Sequence, residues 1–379
     1  MPQGFETTEF KARLTGAQSR MNAADLDAIL LTTEPDIRYF TGYLTRFWES
    51  PCRPWFLVLP RSGDPIAVIP SIGAALMART WITDIRTWRA PDLEDDGISL
   101  LAETLRDLGP RIGTPSGLQS HLRMPLGDFA RLNAALPQPI GADADILRSL
   151  RLVKSEAEIE KIKTACQIAT RAFERVPEIA RIGQPLAPVF RDFQRLCLDE
   201  GADWVPYLAG AAAPGGYGDV ISPADDRPLE AGDVLMLDTG LVHDGYFCDF
   251  DRNFSVGSPS PDVAAGHSRL IEATYAAFEA ARPGATAAEL FHVMDKIVTG
   301  GAGGSEAGRY GHGLGMNLTE WPSLIPTDHT PLVERMVLTL EPGIELAPGR
   351  ALVHEENIVI RENGAEWLSQ PYGAEMIRI

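Results

Sequence analysis

Three aspartates lie close together in the C-terminal half of the chain, on either side of a short turn. The apolar run Val234–Leu237 leads into Asp238, the pair Asp244-Gly245 follows, and a second β-prone run carries Asp249 and Asp251. Two β-prone runs joined by a turn that contains glycine predict a β-hairpin. Carboxylates brought together in this way are typical ligands of divalent metal ions.

The register of this hairpin decides which carboxylates face each other. A turn centred on His243-Asp244 sets Asp238 opposite Asp249, whereas a turn centred on Asp244-Gly245 sets it opposite Asp251. Both registers oppose like charges, which destabilises a sheet. A solvent-exposed acidic hairpin is an equally good interpretation of the spacing alone. The apolar run before Asp238 favours burial, and a buried carboxylate needs a cation.

Further donors follow β-prone or glycine-rich segments along the chain. His312 lies in Gly-His-Gly-Leu-Gly, Glu341 ends the run Val337–Leu340, and Glu355 and Glu356 lie between two β-prone runs. Each of them, taken alone, could be a structural or surface residue. Four carboxylates and one imidazole balance the charge of two divalent cations, and such a donor set suits manganese, cobalt, iron or zinc. Paired ions of this kind activate water and polarise carbonyl groups.

Composition limits the classes of protein that this chain represents. Its 379 residues suffice for two domains, and 45% hydrophobic and 23% charged residues are typical of a globular protein. A formal charge of −18 argues against nucleic acid or an anionic membrane as a partner. The first residues do not resemble a secretory signal, and no apolar run is long enough to span a bilayer. We expect a cytoplasmic protein with reduced, scattered thiols: Cys52, Cys166, Cys197 and Cys248.

The pattern of strands and helices predicts two domains. In residues 1–150, segments typical of strands alternate with segments typical of helices, which predicts an α/β domain around a mixed sheet. The predicted strands lie near 28–32, 55–59 and 65–69, and the predicted helices near 97–108 and 126–136. Residues 151–379 form the second domain. Ser155 and Glu158 there make a capping box that begins a long amphipathic helix.

The second domain contains a weak internal repeat. Arg181, Gly183 and Phe190 are echoed by Arg282, Gly284 and Phe291, and Phe-Glu pairs precede both sets. In each copy the glycine follows the arginine by two residues and precedes the phenylalanine by seven. This spacing predicts two helix–turn–helix units in a pseudo-symmetric α+β domain with a cleft between its halves.

Taken in order, these motifs resemble those of the pita-bread metalloenzymes, which include prolidase, aminopeptidase P, methionine aminopeptidase and the metal-free creatinase. The resemblance covers nearly the whole chain and implies a creatinase-like N-terminal domain before an α+β pita-bread catalytic domain. It favours Asp249 over Asp251, and Glu355 over Glu356, as ligands. Glu341 and His312 are implied to act in catalysis as well, Glu341 as a proton shuttle. The implied ligands of two divalent metal ions are Asp238, Asp249, His312, Glu341 and Glu355.

The sequence departs from the peptidases at three positions near these motifs. Thr319 and Ile221 stand where the peptidases carry histidines that hold the substrate carbonyl and stabilise the tetrahedral intermediate. Val353, followed by His354, stands where they often have arginine. We therefore expect cleavage of Xaa-Pro dipeptides to be weak unless another donor, such as His243 or Tyr310, takes the place of the missing histidines.

Two classes of substrate are consistent with these features. The first is a dipeptide or other small amide; the second belongs to non-peptidase chemistry on the same fold, as in ectoine hydrolase, creatinase or dimethylsulfoniopropionate lyase. Candidate substrate contacts are Thr319, Tyr310, Trp48 and Arg53. For Trp48 and Arg53 a packing role is favoured, but the resemblance implies a homodimer in which this region borders the partner's active site.

Overall fold

The computed structural model describes residues 4–50, 53–305 and 308–379. The chain divides into two compact units, one ending at Arg151 and the other beginning at Leu152. Cys166, Cys197 and Cys248 are buried free thiols, as expected, whereas Cys52 lies outside the described residues. No helix within the described ranges has the length and apolar character needed to cross a membrane.

The N-terminal unit is built on a mixed sheet with the strand order β4-β3-β2-β1-β5-β6. Its strands are β1 (Ala28–Leu31), β2 (Phe56–Pro60), β3 (Ile66–Pro70), β4 (Asp84–Trp88), β5 (Ile112–Thr114) and β6 (Gly141–Ala142). Its helices are α1 (Thr7–Ala23), α2 (Glu34–Thr41), α3 (Ala74–Met77), α4 (Ile98–Arg106), α5 (Leu126–Ala135) and α6 (Ile146–Leu152). β1, β2 and β3 are buried along their whole length, as expected of apolar strands with both faces covered. The predicted mixed sheet is confirmed.

The C-terminal unit is an α+β structure with two larger sheets. Its helices are α7 (Glu156–Glu174), α8 (Val176–Ile179), α9 (Leu186–Asp199), α10 (Pro261–Ala280) and α11 (Ala287–Val298). Its first strands are β7 (Trp204–Pro214), β8 (Asp233–His243), β9 (Tyr246–Phe247) and β10 (Phe250–Ser255). The later strands are β11 (His312–Gly313), β12 (Glu320–Ser323), β13 (Val337–Leu340), β14 (Gly343–Ala347), β15 (Arg350–Val353), β16 (Glu356–Arg361), β17 (Gly364–Trp367) and β18 (Ile377–Arg378). One sheet has the order β18-β10-β8-β7, the other β12-β11-β13-β16-β17, and β14 pairs with β15.

Two helix–turn–helix units are related as the internal repeat predicts. α7 begins with the predicted capping box of Ser155 and Glu158, and α11 begins with a second one. Between the helices of each unit lies a glycine with positive φ, 84° at Gly183 and 90° at Gly284, a conformation that costs glycine little. Their amide groups donate equivalent hydrogen bonds, to the carbonyls of Leu229 and Leu332. The repeat therefore reflects a common local structure in the two halves of the unit.

Candidate active site

The hairpin of β8 and β10 carries the three aspartates. Asp244 and Gly245 form its two-residue turn with φ of 46° and 79°, the left-handed conformation that tight hairpin turns favour. Asp238 consequently lies opposite Asp251, which is the second of the two registers that the sequence left open. Asp249 directly precedes β10, two residues before Asp251.

Neighbouring strands of the other sheet position the remaining donors. β13 ends at Leu340, which pairs with Glu356 at the start of β16. The residues just beyond this pair, Glu341 and Glu355, are therefore adjacent where the two strands end. β13 lies between β16 and β11, and β11 contains His312. Pairing of these three strands brings together donors that lie up to 43 residues apart in the sequence.

Three side chains come together, two more interact with them electrostatically, and we call all five the ligand cluster: Asp238, Asp249, His312, Glu341 and Glu355. Asp249, His312 and Glu355 each offer a ligand atom within 4.8 Å of the other two, and His312 Nε2 lies 3.3 Å from Asp249 Oδ2. Electrostatic interactions link Asp238 and Glu341 to the same group. Glu341 is partly exposed, whereas the other four are buried.

The backbone fixes the orientation of the His312 ring. Its Nδ1 lies 2.8 Å from the carbonyl oxygen of Gly313, a contact in which only a protonated Nδ1 makes a hydrogen bond. Nε2, the other ring nitrogen, faces Asp249 at 3.3 Å and is the nitrogen left to bind a metal ion. A hydrogen bond of this kind commonly orients a metal-binding histidine.

Two buried carboxylate oxygens of the ligand cluster lack a protein partner. Asp238 Oδ1 and Glu355 Oε1 accept no hydrogen bond from the described residues. The other oxygen of Asp238 accepts one from the Tyr207 hydroxyl at 3.0 Å. Burial and the charge of Asp238 raise the pKa of Tyr207, so this hydroxyl stays protonated. Tyr207, on β7, was not identified from the sequence, because only its pairing with β8 brings it to Asp238.

Without a metal ion, the charged forms of these carboxylates are disfavoured. Burial raises the pKa of Asp238 and Glu355 well above their usual range, and neighbouring carboxylates raise it further. Burial also raises the pKa of Asp249 despite the opposing effect of His312, and raises that of Glu341 to about 7. Four carboxylates with raised pKa values therefore share one buried site, and divalent cations would relieve both burial cost and repulsion. The donor set fits divalent metal ions.

A second buried group of charges adjoins the ligand cluster, and we call it the paired network: Asp251, Arg252, His354 and Glu356. Asp251 Oδ1 accepts a hydrogen bond from the Glu355 amide at 2.8 Å and lies 3.6 Å from His354 Nδ1. Glu356 accepts a hydrogen bond from Arg252 at 3.0 Å. Glu356 and Asp251 Oδ1 thus have partners within the protein, although Asp251 Oδ2, like Asp238 Oδ1 and Glu355 Oε1, accepts no hydrogen bond from the described residues. The contact with Arg252 separates Glu356 from Glu355 and agrees with the implied choice of Glu355 as the ligand. That choice stays a prediction.

Thr319 is half-buried and contacts a positively charged side chain, Arg309, which the sequence analysis did not single out. Its hydroxyl oxygen lies 3.4 Å from Nη2 of Arg309, a half-buried arginine three residues before His312. The charge of Arg309 lowers the pKa of Asp249 and Glu341. The arginine preceding the Gly-His-Gly-Leu-Gly motif was the signal that could have revealed it.

Three other positions considered from the sequence contribute less to the site. Tyr310 is fully buried and its ring stacks on Phe291 at 4.8 Å, so substrate has no exposed surface of this side chain to contact. Ile221 lies in an exposed loop and is 86% exposed. His243 ends β8 five residues after Asp238, and the alternation of side chains along a strand directs it to the opposite face.

Trp48 and Arg53 pack within the N-terminal unit. Trp48 is buried against Tyr43 and Trp55, with ring centroids 6.5 and 5.7 Å away. The Arg53 guanidinium lies 4.9 Å from the centroid of the Phe47 ring. This is the packing role that the sequence favoured, and a contact with substrate across a dimer stays a prediction.

Comparison with known proteins identifies the class to which this fold and site belong. The pattern of metallopeptidase family M24 matches residues 160–362, and that of the creatinase/prolidase N-terminal domain matches residues 13–153. The chain belongs to metallopeptidase family M24. The predicted family, the two-part fold and metal-dependent hydrolysis are thereby confirmed.

Individual relatives are similar over nearly their whole length. The chain is 30% identical to a probable dipeptidase PepE of Mycobacterium tuberculosis, over 95% of this chain and 94% of the relative. It is 26% identical to an Xaa-Pro dipeptidase of Pyrococcus horikoshii, over 92% and 94%. The crystal structure of dipeptidase PepE from Mycobacterium ulcerans superposes with a TM-score of 0.85 at 31% identity, covering 99% of both chains.

Proposed function

We propose that this protein is a dipeptidase that binds two divalent metal ions and hydrolyses the peptide bond of small dipeptides. The observation that carries the proposal is the ligand cluster, in which ligand atoms of Asp249, His312 and Glu355 lie within 4.8 Å of one another. Two buried oxygens of the cluster, Asp238 Oδ1 and Glu355 Oε1, accept no hydrogen bond from the described residues. Relatives named as dipeptidases, similar over 94% of their length, support the choice of substrate.

The ligand cluster would hold both ions, and its charge of four carboxylates matches theirs. When bound, such ions polarise the substrate carbonyl and lower the pKa of water. Glu341 is the one partly exposed member of the cluster, so it is the carboxylate best placed to exchange protons with substrate. It takes a proton from the attacking water as the C–O bond forms, and delivers it to the leaving amine as the C–N bond breaks.

The experiment combines metal analysis with a substrate panel. Protein loaded with manganese, cobalt, iron or zinc is analysed for metal content and assayed on Ala-Ala, Ala-Pro and Gly-Pro. We expect about two ions per chain and dipeptide hydrolysis, both lost in Glu341→Gln. Glu345→Gln, which changes an exposed carboxylate four residues away, is the matched control and should leave both intact. A wild type that binds metal but cleaves no dipeptide contradicts the proposal.

A second candidate function is hydrolysis or lyase chemistry on a small molecule that is not a peptide. The replacement of the peptidase histidines by Thr319 and Ile221 favours it. Ectoine, creatine and dimethylsulfoniopropionate therefore belong in the same substrate panel. Turnover of one of these at a higher kcat/KM than any dipeptide would establish the second candidate.

A homodimer and a cytoplasmic location are further parts of the proposal. Both rest on the family resemblance and on the sequence. Light scattering of the purified protein measures the mass of the assembly, and cell fractionation measures location. A monomer of 41.2 kDa would exclude any role of Trp48 or Arg53 across a dimer.

A further inference from the structure

Arg309 places a permanent positive charge at the edge of the ligand cluster. A guanidinium group carries its charge on a planar set of N–H donors that suits oxygen ligands. The partner of Arg309 is Thr319, 3.4 Å away, which directly precedes Glu320, and Glu320 pairs with Gly313 next to His312. The guanidinium therefore lies beside the strand that carries His312, and its charge lowers the pKa of Asp249 and Glu341.

Among the described residues, most of the hydrogen-bonding capacity of Arg309 has no protein partner. A guanidinium group has five N–H donors, and the contact with Thr319 at 3.4 Å uses one of them. Within the described ranges, no carboxylate oxygen lies within 4.0 Å of its nitrogens. Arg252, by contrast, donates to Glu356 and to three backbone carbonyls. Arg252 is a structural cation, whereas Arg309 retains donors for a ligand.

The contact with Thr319 gives those donors a fixed location. Thr319 stands where the related peptidases carry a histidine, and its neutral hydroxyl cannot balance a developing negative charge. Its oxygen can instead accept a hydrogen bond and hold the guanidinium beside the cluster. With Thr319 in place of histidine, Arg309 held by Thr319 is the positively charged hydrogen-bond donor at this position.

We propose that Arg309 stabilises the oxyanion of the tetrahedral intermediate during peptide hydrolysis and that Thr319 is its positioning residue. This inference rests on the proposed dipeptidase function. As water adds to the carbonyl carbon, the C=O electron pair moves to the carbonyl oxygen, and Arg309 N–H groups donate to that oxygen. The pair returns when the C–N bond breaks, Glu341 supplies the proton to the amine, and Arg309 remains protonated throughout. Donors placed for such an oxyanion stabilise the transition state more than the substrate.

Three substitutions at one position test this role. Arg309→Gln removes the charge, Arg309→Lys keeps it without the guanidinium geometry, and Arg309→His makes it titratable. The matched control is Arg195→Gln, which changes an exposed arginine on α9 whose side chain is 64% exposed. Each variant is assayed on Ala-Ala and on its C-terminal amide, with metal content and melting temperature measured to verify folding.

Arg309→Gln should lower kcat about 10²- to 10³-fold, equally for the dipeptide and its amide, with KM changed less than about threefold. Arg309→Lys should retain more activity than Arg309→Gln. Activity of Arg309→His should fall as pH rises past roughly 6.5, where histidine loses its charge, beyond any pH dependence of the wild type. Calorimetric affinity for a phosphinate dipeptide analogue, an oxyanion mimic, should fall by a similar factor in Arg309→Gln.

Other outcomes overturn the proposal. An effect on KM alone, confined to the dipeptide with a free carboxylate, would make Arg309 an anchor for that carboxylate. Unchanged kcat in Arg309→Gln, or a loss explained by lost metal or lost folding in all three variants, would remove its catalytic role. A wild type inactive on dipeptides contradicts the proposed function itself, whereas an active wild type with an equally active Arg309→Gln contradicts only this inference.

Discussion

The ligand cluster and Glu356 of the paired network are buried acids whose charges are compensated to different degrees. Asp251 is intermediate between them, because burial raises its pKa although His354 opposes this. In the paired network, burial raises the pKa of Glu356, but Arg252, His354 and Ser369 outweigh it and leave the pKa below its usual value. In the ligand cluster, burial dominates, and the pKa values of all four carboxylates are raised. The charge of Glu356 is compensated within the protein, whereas Arg309 and His312 do not offset the burial of the four cluster carboxylates. Under our proposal, bound metal ions supply the remaining compensation.

Loss of one cluster carboxylate should have the largest effect. Asp249→Ala or Asp238→Asn removes a ligand and with it at least one metal ion. Because bound metal contributes several kcal/mol of transition-state stabilisation, we expect kcat/KM for Ala-Ala to fall about 10³-fold or more. Elemental analysis and steady-state kinetics on the same preparations test this. Full metal content in either variant would contradict the assignment of that residue.

Loss of the cation in the paired network should reduce stability instead of metal content. Arg252→Met leaves Glu356 buried without its guanidinium partner, and breaking a buried pair in this way costs about 3–5 kcal/mol. Urea unfolding measures the loss, and elemental analysis should still find about two ions per chain. The double variant Arg252→Met/Glu356→Gln should recover part of the stability, since no uncompensated charge remains. A stable single variant that has lost its metal would show that the two groups are not separate.

Local sequence patterns predicted the helices and turns near the site better than the contacts between strands. The capping box at Ser155 and the hairpin around Asp244 depend on neighbouring residues, and both could be predicted from short segments. The register could not, because turns centred one residue apart satisfied the same pattern. Only the backbone conformation of Asp244 and Gly245, both with positive φ, sets Asp238 opposite Asp251.

The choice between neighbouring acids required long-range structure. Asp249 directly precedes β10 and Asp251 lies within it, so a sequence period of two treats them alike. They differ because Asp251 contacts His354 and the Glu355 amide, about 100 residues away in sequence. Arg309 could not be predicted from local patterns either, because its contact with Thr319 depends on how β11 and β12 pair. The family resemblance supplied the ligand assignments that spacing left open.

Removal of metal should make the thermal stability of the protein depend on pH through the ligand cluster, and not through the paired network. The cluster carboxylates have raised pKa values in the folded protein, Glu341 to about 7. Their contribution to stability is therefore fully present below their unfolded pKa values near 4 and is lost as pH rises through the folded values. We expect the melting temperature of chelator-treated protein to fall roughly 3–10 °C between pH 5 and pH 8. Metal-loaded protein should change less over this range, and metal-free Asp238→Asn should show a shallower decline. A metal-free melting temperature that rises with pH would contradict the electrostatics of the cluster.

The smallest effect is expected at Asp251, the acid that lies opposite Asp238 but belongs to the paired network. Asp251→Asn keeps an oxygen that accepts the hydrogen bond from the Glu355 amide, which Asp251 Oδ1 accepts at 2.8 Å. It removes the charge that faces His354 Nδ1 at 3.6 Å. We expect about two ions per chain, kcat/KM within about tenfold of the wild type, and a melting temperature close to that of the wild type. Asp238→Asn is the matched control, because the same change at the paired position of the same hairpin should abolish metal binding. Equal loss of metal in both variants would show that Asp251 is itself a ligand, and the boundary between the ligand cluster and the paired network would have to be redrawn.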